Sequence, residues 1–189
     1  ASVELNENVI TPELFKNWDY CYLEGYLIAN KNLFKKVIHT AKECGCKVIL
    51  DLASYNVVED NREFLNELLP NINIIFANEE EAKALTDDSA EASLEYIAQH
   101  TDIAVVKIGK RGSLIKRGEE VVKIGCNKVE VVDTRGAGDM YAAGFLYGFI
   151  NDYDLERCGN IGNLLAESVI QVIGAKMDEN RWEIFKKTI

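Results

Sequence analysis

Short apolar, β-rich runs alternate with helical patterns along nearly all of this 189-residue chain, and that alternation narrows its fold more than any other feature. Runs at 20–26, 47–51, 73–77 and 103–106 read as strands, the first interrupted near its end by Gly25. Between them, 30–44 reads as an amphipathic helix with Leu33, Phe34, Val37, Ile38 and Ala41 on one face. Gly45 sits where its C-terminal cap belongs. A second helix at 59–69 buries Phe64, Leu65, Leu68 and Leu69 and stops at Pro70, and 78–85 and 90–100 are helical. Thr11-Pro12-Glu13-Leu14-Phe15 is a short helix start with proline in its first turn. Runs 113–116 and 121–124 flank Arg117-Gly118-Glu119-Glu120 as a β-hairpin, and 129–132 alternates as a further strand. Helices are predicted at 140–150, at 154–173 with Gly174 past its end, and at 179–187. The expectation is an α/β fold, a Rossmann-like three-layer α/β/α domain over 1–189 with a mostly parallel central sheet. In such open sheets ligands lie at the carboxyl ends of the strands.

Three polar or glycine-bearing stretches follow strand runs, and they are the candidate site. Asp133-Thr134-Arg135-Gly136-Ala137-Gly138-Asp139 precedes an uncharged run, Met140 to Ile150, that is apolar on every face. Such a segment is expected to be a buried helix, and it is too short to span a bilayer. The glycine turn at its start presents free N–H groups and the positive end of the helix dipole, which suits an anion. Asp139 is then either a charge partner of that dipole or a general base beside the anion. Asn78-x-x-Glu81 opens a helix as a capping box. Lys107-x-Gly109-x-x-Gly112 is a turn into the hairpin, with the lysine available to a phosphate. Asp133 is an N-cap or turn acceptor. Neither a Walker-type phosphate loop nor Gly-x-Gly-x-x-Gly is present, which weakens a dinucleotide-dependent oxidoreductase.

Net charge is −10, from 21 basic and 31 acidic residues, which argues against nucleic acid or an anionic membrane as the main partner. Lys107, Lys110, Arg111 and Arg135 can still supply a local positive field. The polar, acidic N-terminus carries no secretory signal, and the start at Ala1 suggests a processed, trimmed or partial chain. Five scattered cysteines fit reduced thiols in the cytoplasm. Cys44-x-Cys46 is a redox or metal pair or, more simply, two buried small residues around Gly45. His39 and His100 read as ordinary surface histidines.

Set before Tyr141-Ala142-Ala143-Gly144-Phe145, the 133–139 motif resembles the C-terminal signature of the ribokinase/PfkB family of carbohydrate and nucleoside kinases. Tyr22-Leu23-Glu24-Gly25-Tyr26 and Asp51-Leu52-Ala53-Ser54 are similar to adenosine-kinase-like members. The resemblance implies ATP-dependent transfer of a phosphoryl group to a hydroxymethyl group of a sugar or nucleoside. It implies Asp139 as base, with the N–H groups of Gly136, Ala137 and Gly138 holding developing charge. Lys107, Gly109 and Gly112 would meet the nucleotide phosphates, Arg135 could reach the transferring group, and Asn163 would lie beside the adenine. Asn78 and Glu81 would serve Mg²⁺, and Asp133 a K⁺ ion as some relatives do. It further implies that an N-terminal acceptor-binding and lid segment is absent, and that a homodimer could form through such a segment. A non-catalytic nucleotide-binding module on the same fold is the alternative.

Overall fold

The structure, a computed structural model, describes residues 6–188. Six strands form one sheet in the order β1-β2-β3-β4-β5-β6: β1 (Tyr20–Glu24), β2 (Lys47–Asp51), β3 (Ile74–Asn78), β4 (Ile103–Lys107), β5 (Ser113–Arg117) and β6 (Glu120–Ile124). β1 and β2 run parallel with Tyr20 opposite Lys47 and Glu24 opposite Asp51, and β2 and β3 run parallel with Ile49 opposite Ile74. β5 and β6 are joined by a two-residue turn, a connection that antiparallel strands allow. The sheet is therefore mixed. β2, β3 and β4 are buried along almost their whole length, which explains why they read as continuous apolar runs rather than alternating ones.

The chain divides into two compact units. The first runs up to Val106 and includes Lys116–Val121. Its helix α1 (Lys31–Glu43) starts at Asn30, whose Oδ1 accepts the Leu33 N–H at 3.1 Å. α1 buries Leu33, Phe34, Ile38 and Ala41, while Val37 is only half-buried. The single helix expected at 59–69 is instead two, α2 (Tyr55–Asp60) and α3 (Arg62–Leu68). They break at Asn61, whose side-chain amide donates to the Val57 carbonyl at 2.9 Å. Asparagine competes with the helical backbone in this way, and apolar spacing alone does not register it. α4 (Glu79–Thr86) and α5 (Ala90–Ala98) follow, α5 capped by Ser89. Gly25 lies so close to the Leu52 carbonyl that a Cβ would overlap it, which ends β1 and starts a 3₁₀ segment, Gly25–Ala29.

The second unit holds Lys107–Ile115 and the chain from Val122 onward. It contains α6 (Ala137–Ile150), α7 (Leu155–Val169) and α8 (Glu179–Thr188). Ile161, Leu165, Val169, Met177 and Phe185 form its core, with Met140 and Trp182 packed against it. α6 and α7 cross through glycines. A Cβ at Gly144 would come within 2.7 Å of the Ile161 carbonyl oxygen, and one at Gly162 within 2.9 Å of the Tyr141 carbonyl oxygen. The buried-helix expectation for α6 holds for one side only. Tyr141, Ala142, Gly144, Phe145 and Gly148 are buried, whereas Ala143, Tyr147 and Ile150 are exposed. The strand expected at 129–132 does not form. Val131 and Val132 are exposed, and the N–H groups of Val132 and Asp133 donate to the Ile170 carbonyl at 2.8 and 3.1 Å. Alternation marks a segment that can pair but does not supply an edge to pair with, and this one is fastened to the end of α7 instead. α7 itself stops at Val169, short of the expected 173. Among the described residues no helix is long and apolar enough to cross a membrane. The expectation drawn from the start at Ala1 concerns residues outside the described range.

Candidate active site

The site is built around the start of α6. Gly136 is its N-cap, with φ +77°, a left-handed conformation that a side chain disfavours. A Cβ there would also sit 2.6 Å from Cβ of Ala175. No side chain caps α6, unlike α1, α4, α5 and α7. The first-turn N–H groups of a helix have no intrahelical acceptor, so an uncapped start keeps donors for a ligand. Of the three expected charge-holding groups, the Ala137 N–H already donates to the Thr134 carbonyl, at 3.3 Å. Gly138 lies inside the first turn, and a Cβ there would come within 3.2 Å of Lys107 Nζ. The lysine that ends β4 is thus brought to the uncapped helix start. Asp139, also in the first turn, is exposed. Together these residues present a cation, backbone donors and a carboxylate within one turn of helix.

The turn before α6 is held by Asp133. Its Oδ1 accepts the Arg135 backbone N–H at 3.0 Å, and its Oδ2 accepts Arg135 Nη2 at 2.6 Å and the Gly174 N–H at 2.8 Å. The Arg135 side chain first, then the N–H groups of Arg135 and Gly174, hold the Asp133 carboxyl well below the usual carboxylate range. This donor set fits a turn acceptor better than a K⁺ ligand, because an arginine already balances the charge. Arg135 lies along Asp133 with its side chain 73% exposed, so the geometry matches a surface ion pair.

Gly109 and Gly112 flank a 3₁₀ turn, Gly109–Arg111, directly after Lys107. Gly112 has φ +96°, and a Cβ would overlap the Ile124 carbonyl oxygen, so the turn packs on the end of β6. Tyr141, 3% exposed, shares a 2.6 Å hydrogen bond with Ser113, which ties α6 to the start of β5. Burial raises that phenol. Asn163 is buried, and its amide donates to the Gly125 carbonyl at 2.6 Å. In the first unit, Asn78 and Glu81 form the full capping box. Asn78 Oδ1 accepts the Glu81 N–H at 2.8 Å, and Glu81 Oε2 accepts the Asn78 N–H at 2.7 Å. Glu81 Oε1 also accepts the Asn78 amide at 2.7 Å, and the glutamate is 3% exposed. Among the described residues no group of three or more His, Cys, Asp or Glu side chains could hold a metal ion. Cys46 is buried with its thiol on the Trp18 carbonyl at 3.0 Å, and all five cysteines are free. His39 is exposed, and His100 Nδ1 contacts the Tyr96 carbonyl oxygen at 2.9 Å.

Sequence reasoning missed Glu167. It is buried on α7 and accepts two hydrogen bonds from Asn127. The signal was its spacing, four residues after Asn163 and hence on the same helix face.

The sequence model of the pfkB family of carbohydrate kinases matches residues 3–181, and the chain belongs to that family. An uncharacterized sugar kinase of Archaeoglobus fulgidus is 37% identical over 59% of this chain and 45% of its own length. The adenosine kinase of Saccharomyces cerevisiae is 30% identical over 88% of this chain and 56% of its own. The crystal structure of adenosine kinase from Sinorhizobium meliloti superposes with a TM-score of 0.89 at 33% identity, covering 99% of this chain and 59% of that one. The chain spans about half the length of the curated relatives it matches. The α/β architecture is that of these kinases.

Proposed function

We propose that the chain serves ATP-dependent transfer of a phosphoryl group to a hydroxymethyl group of a sugar or nucleoside. The observation that carries this reading is Lys107 Nζ beside Gly138, at a helix start that no side chain caps. A lysine and first-turn N–H groups there offset negative charge as it builds on the transferring phosphoryl group. Asp139 takes the proton of the acceptor hydroxyl as its oxygen bonds to phosphorus and the bond to the ADP oxygen breaks. Magnesium would supply charge neutralisation to the nucleotide phosphates, and Asn78 and Glu81 are the residues of the first unit that would serve it. Family membership supports ATP as donor, and named relatives support both sugars and nucleosides as acceptors. The geometry at Asp133 gives no reason to route a step through K⁺. Free cysteines support a place in the cytoplasm.

The test is thermal melting with ADP and Mg²⁺. Ligand at about 100 times its dissociation constant adds roughly 2.7 kcal/mol of stability. We expect a clear rise in melting temperature, and no shift at millimolar nucleotide would defeat the reading. Binding without turnover on any sugar or nucleoside, assayed together with the acceptor-binding segment that the resemblance implies, would favour the nucleotide-binding module instead.

A further inference from the structure

Glu167 has no part in the chemistry above, yet it is the charged residue that α7 buries. It is 6% exposed and shares a face of α7 with the buried Asn163. A carboxylate in such a place needs its acceptors filled. Its Oε1 accepts the Asn127 backbone N–H at 2.6 Å, and its Oε2 accepts the Asn127 side-chain amide at 3.0 Å. One turn earlier on the same face, Asn163 donates to the Gly125 carbonyl at 2.6 Å. Both ends of the 125–127 segment are therefore fastened to α7.

The same segment holds the turn that follows Lys107. The Cys126 thiol donates to the Gly109 carbonyl at 3.6 Å. A Cβ on Gly112 would come within 3.1 Å of the Gly125 carbonyl carbon, besides overlapping the Ile124 carbonyl. Segment 125–127 thus lies between a helix face that grips it and the glycine turn assigned to phosphates. The carboxylate is felt there, because the Cys126 thiol is raised first by burial and then by the Glu167 charge.

We propose that Glu167 is a positioning residue for nucleotide binding, holding segment 125–127 so that the 109–112 turn keeps the conformation that receives phosphates. The proposal rests on the nucleotide reading given above. Three variants test it, each assayed for ADP affinity by calorimetry and for melting temperature. Glu167→Leu removes both acceptors at similar volume and leaves the two Asn127 donors unmet. Asn127→Ala removes only the side-chain bond at an exposed residue. The double variant Asn127→Asp with Glu167→Gln keeps both bonds with donor and acceptor exchanged and net charge unchanged. We expect Glu167→Leu to weaken ADP binding about 10-fold, Asn127→Ala about 3-fold, and the double variant to stay close to the parent.

A role in stability alone would lower melting temperature and leave affinity unchanged in the folded single variants, and that result overturns the proposal. Should Glu167→Leu fail to fold, parent-like affinity in Asn127→Ala overturns it equally. Absence of ADP binding by the unaltered chain would instead remove the nucleotide reading itself.

Discussion

The N-termini of α4 and α6 begin from similar sequence and end in opposite states. Both carry an acid in the first turn. α4 satisfies itself. Asn78 and Glu81 exchange three hydrogen bonds of 2.7 to 2.8 Å, and Glu79, Glu80 and Glu81 all lie at the positive end of the dipole. An anion approaching that end meets three carboxylates and filled donors. α6 has a glycine in place of a capping side chain, one acid rather than three, and Lys107 at its first turn. The lesson is that a helix start keeps donors open to an anion by leaving out its cap. Helix dipoles alone do not separate the two.

The largest effect should come from the one acid of α6. Asp139→Asn keeps shape and much of the hydrogen bonding but cannot accept a proton. We expect kcat to fall by about 10² to 10⁴ with nucleotide affinity nearly unchanged. Near-normal kcat would reduce Asp139 to a dipole partner worth about 0.3–1 kcal/mol of stability, no different in role from the acids of α4. Next, Gly136→Ala places a side chain at φ +77°, with its Cβ 2.6 Å from that of Ala175. It should cost about 1–3 kcal/mol in unfolding free energy and weaken ADP binding, as denaturant titration and calorimetry would record. Full stability in that variant would mean that the left-handed glycine is not what keeps the helix start open. The smallest effect belongs to α4. Asn78→Ala should lower stability by about 1 kcal/mol and leave ADP affinity without Mg²⁺ unchanged. A fall in that affinity would show that α4, too, serves the nucleotide directly.

Much of this contrast could be read before any coordinates. The capping box follows from Asn78 and Glu81 three residues apart, because the reach of the two side chains fixes the geometry. β2 and the hairpin came out as expected because apolar runs and a glycine turn are local signals. Local pattern failed where a distant partner decides the outcome. Val131 and Val132 alternate like a strand, but the end of α7 takes their segment. Met140 to Ile150 shows which faces could be buried, not that Ala143, Tyr147 and Ile150 would be left uncovered. Glu167 stands out only once its partner Asn127, forty positions away, is placed beside it. The pairing of Lys107 with Gly138 was legible only as two separate motifs, since no spacing rule joins a strand end to a helix start.

Gly144 and Gly162 bring two backbones into contact, and this limits how the glycine-turn end of α6 could be engineered. Where side chains mesh, an engineer can tune a crossing by trading one methyl group for another. Here nothing remains to trade, since any added carbon meets main-chain atoms. The pitch of α6, and so the aim of the 136–139 turn, is fixed like a shaft in its bearing. Libraries that vary α6 would do better to leave that inner face untouched and to spread their diversity over the outward stripe of Ala143, Tyr147 and Ile150.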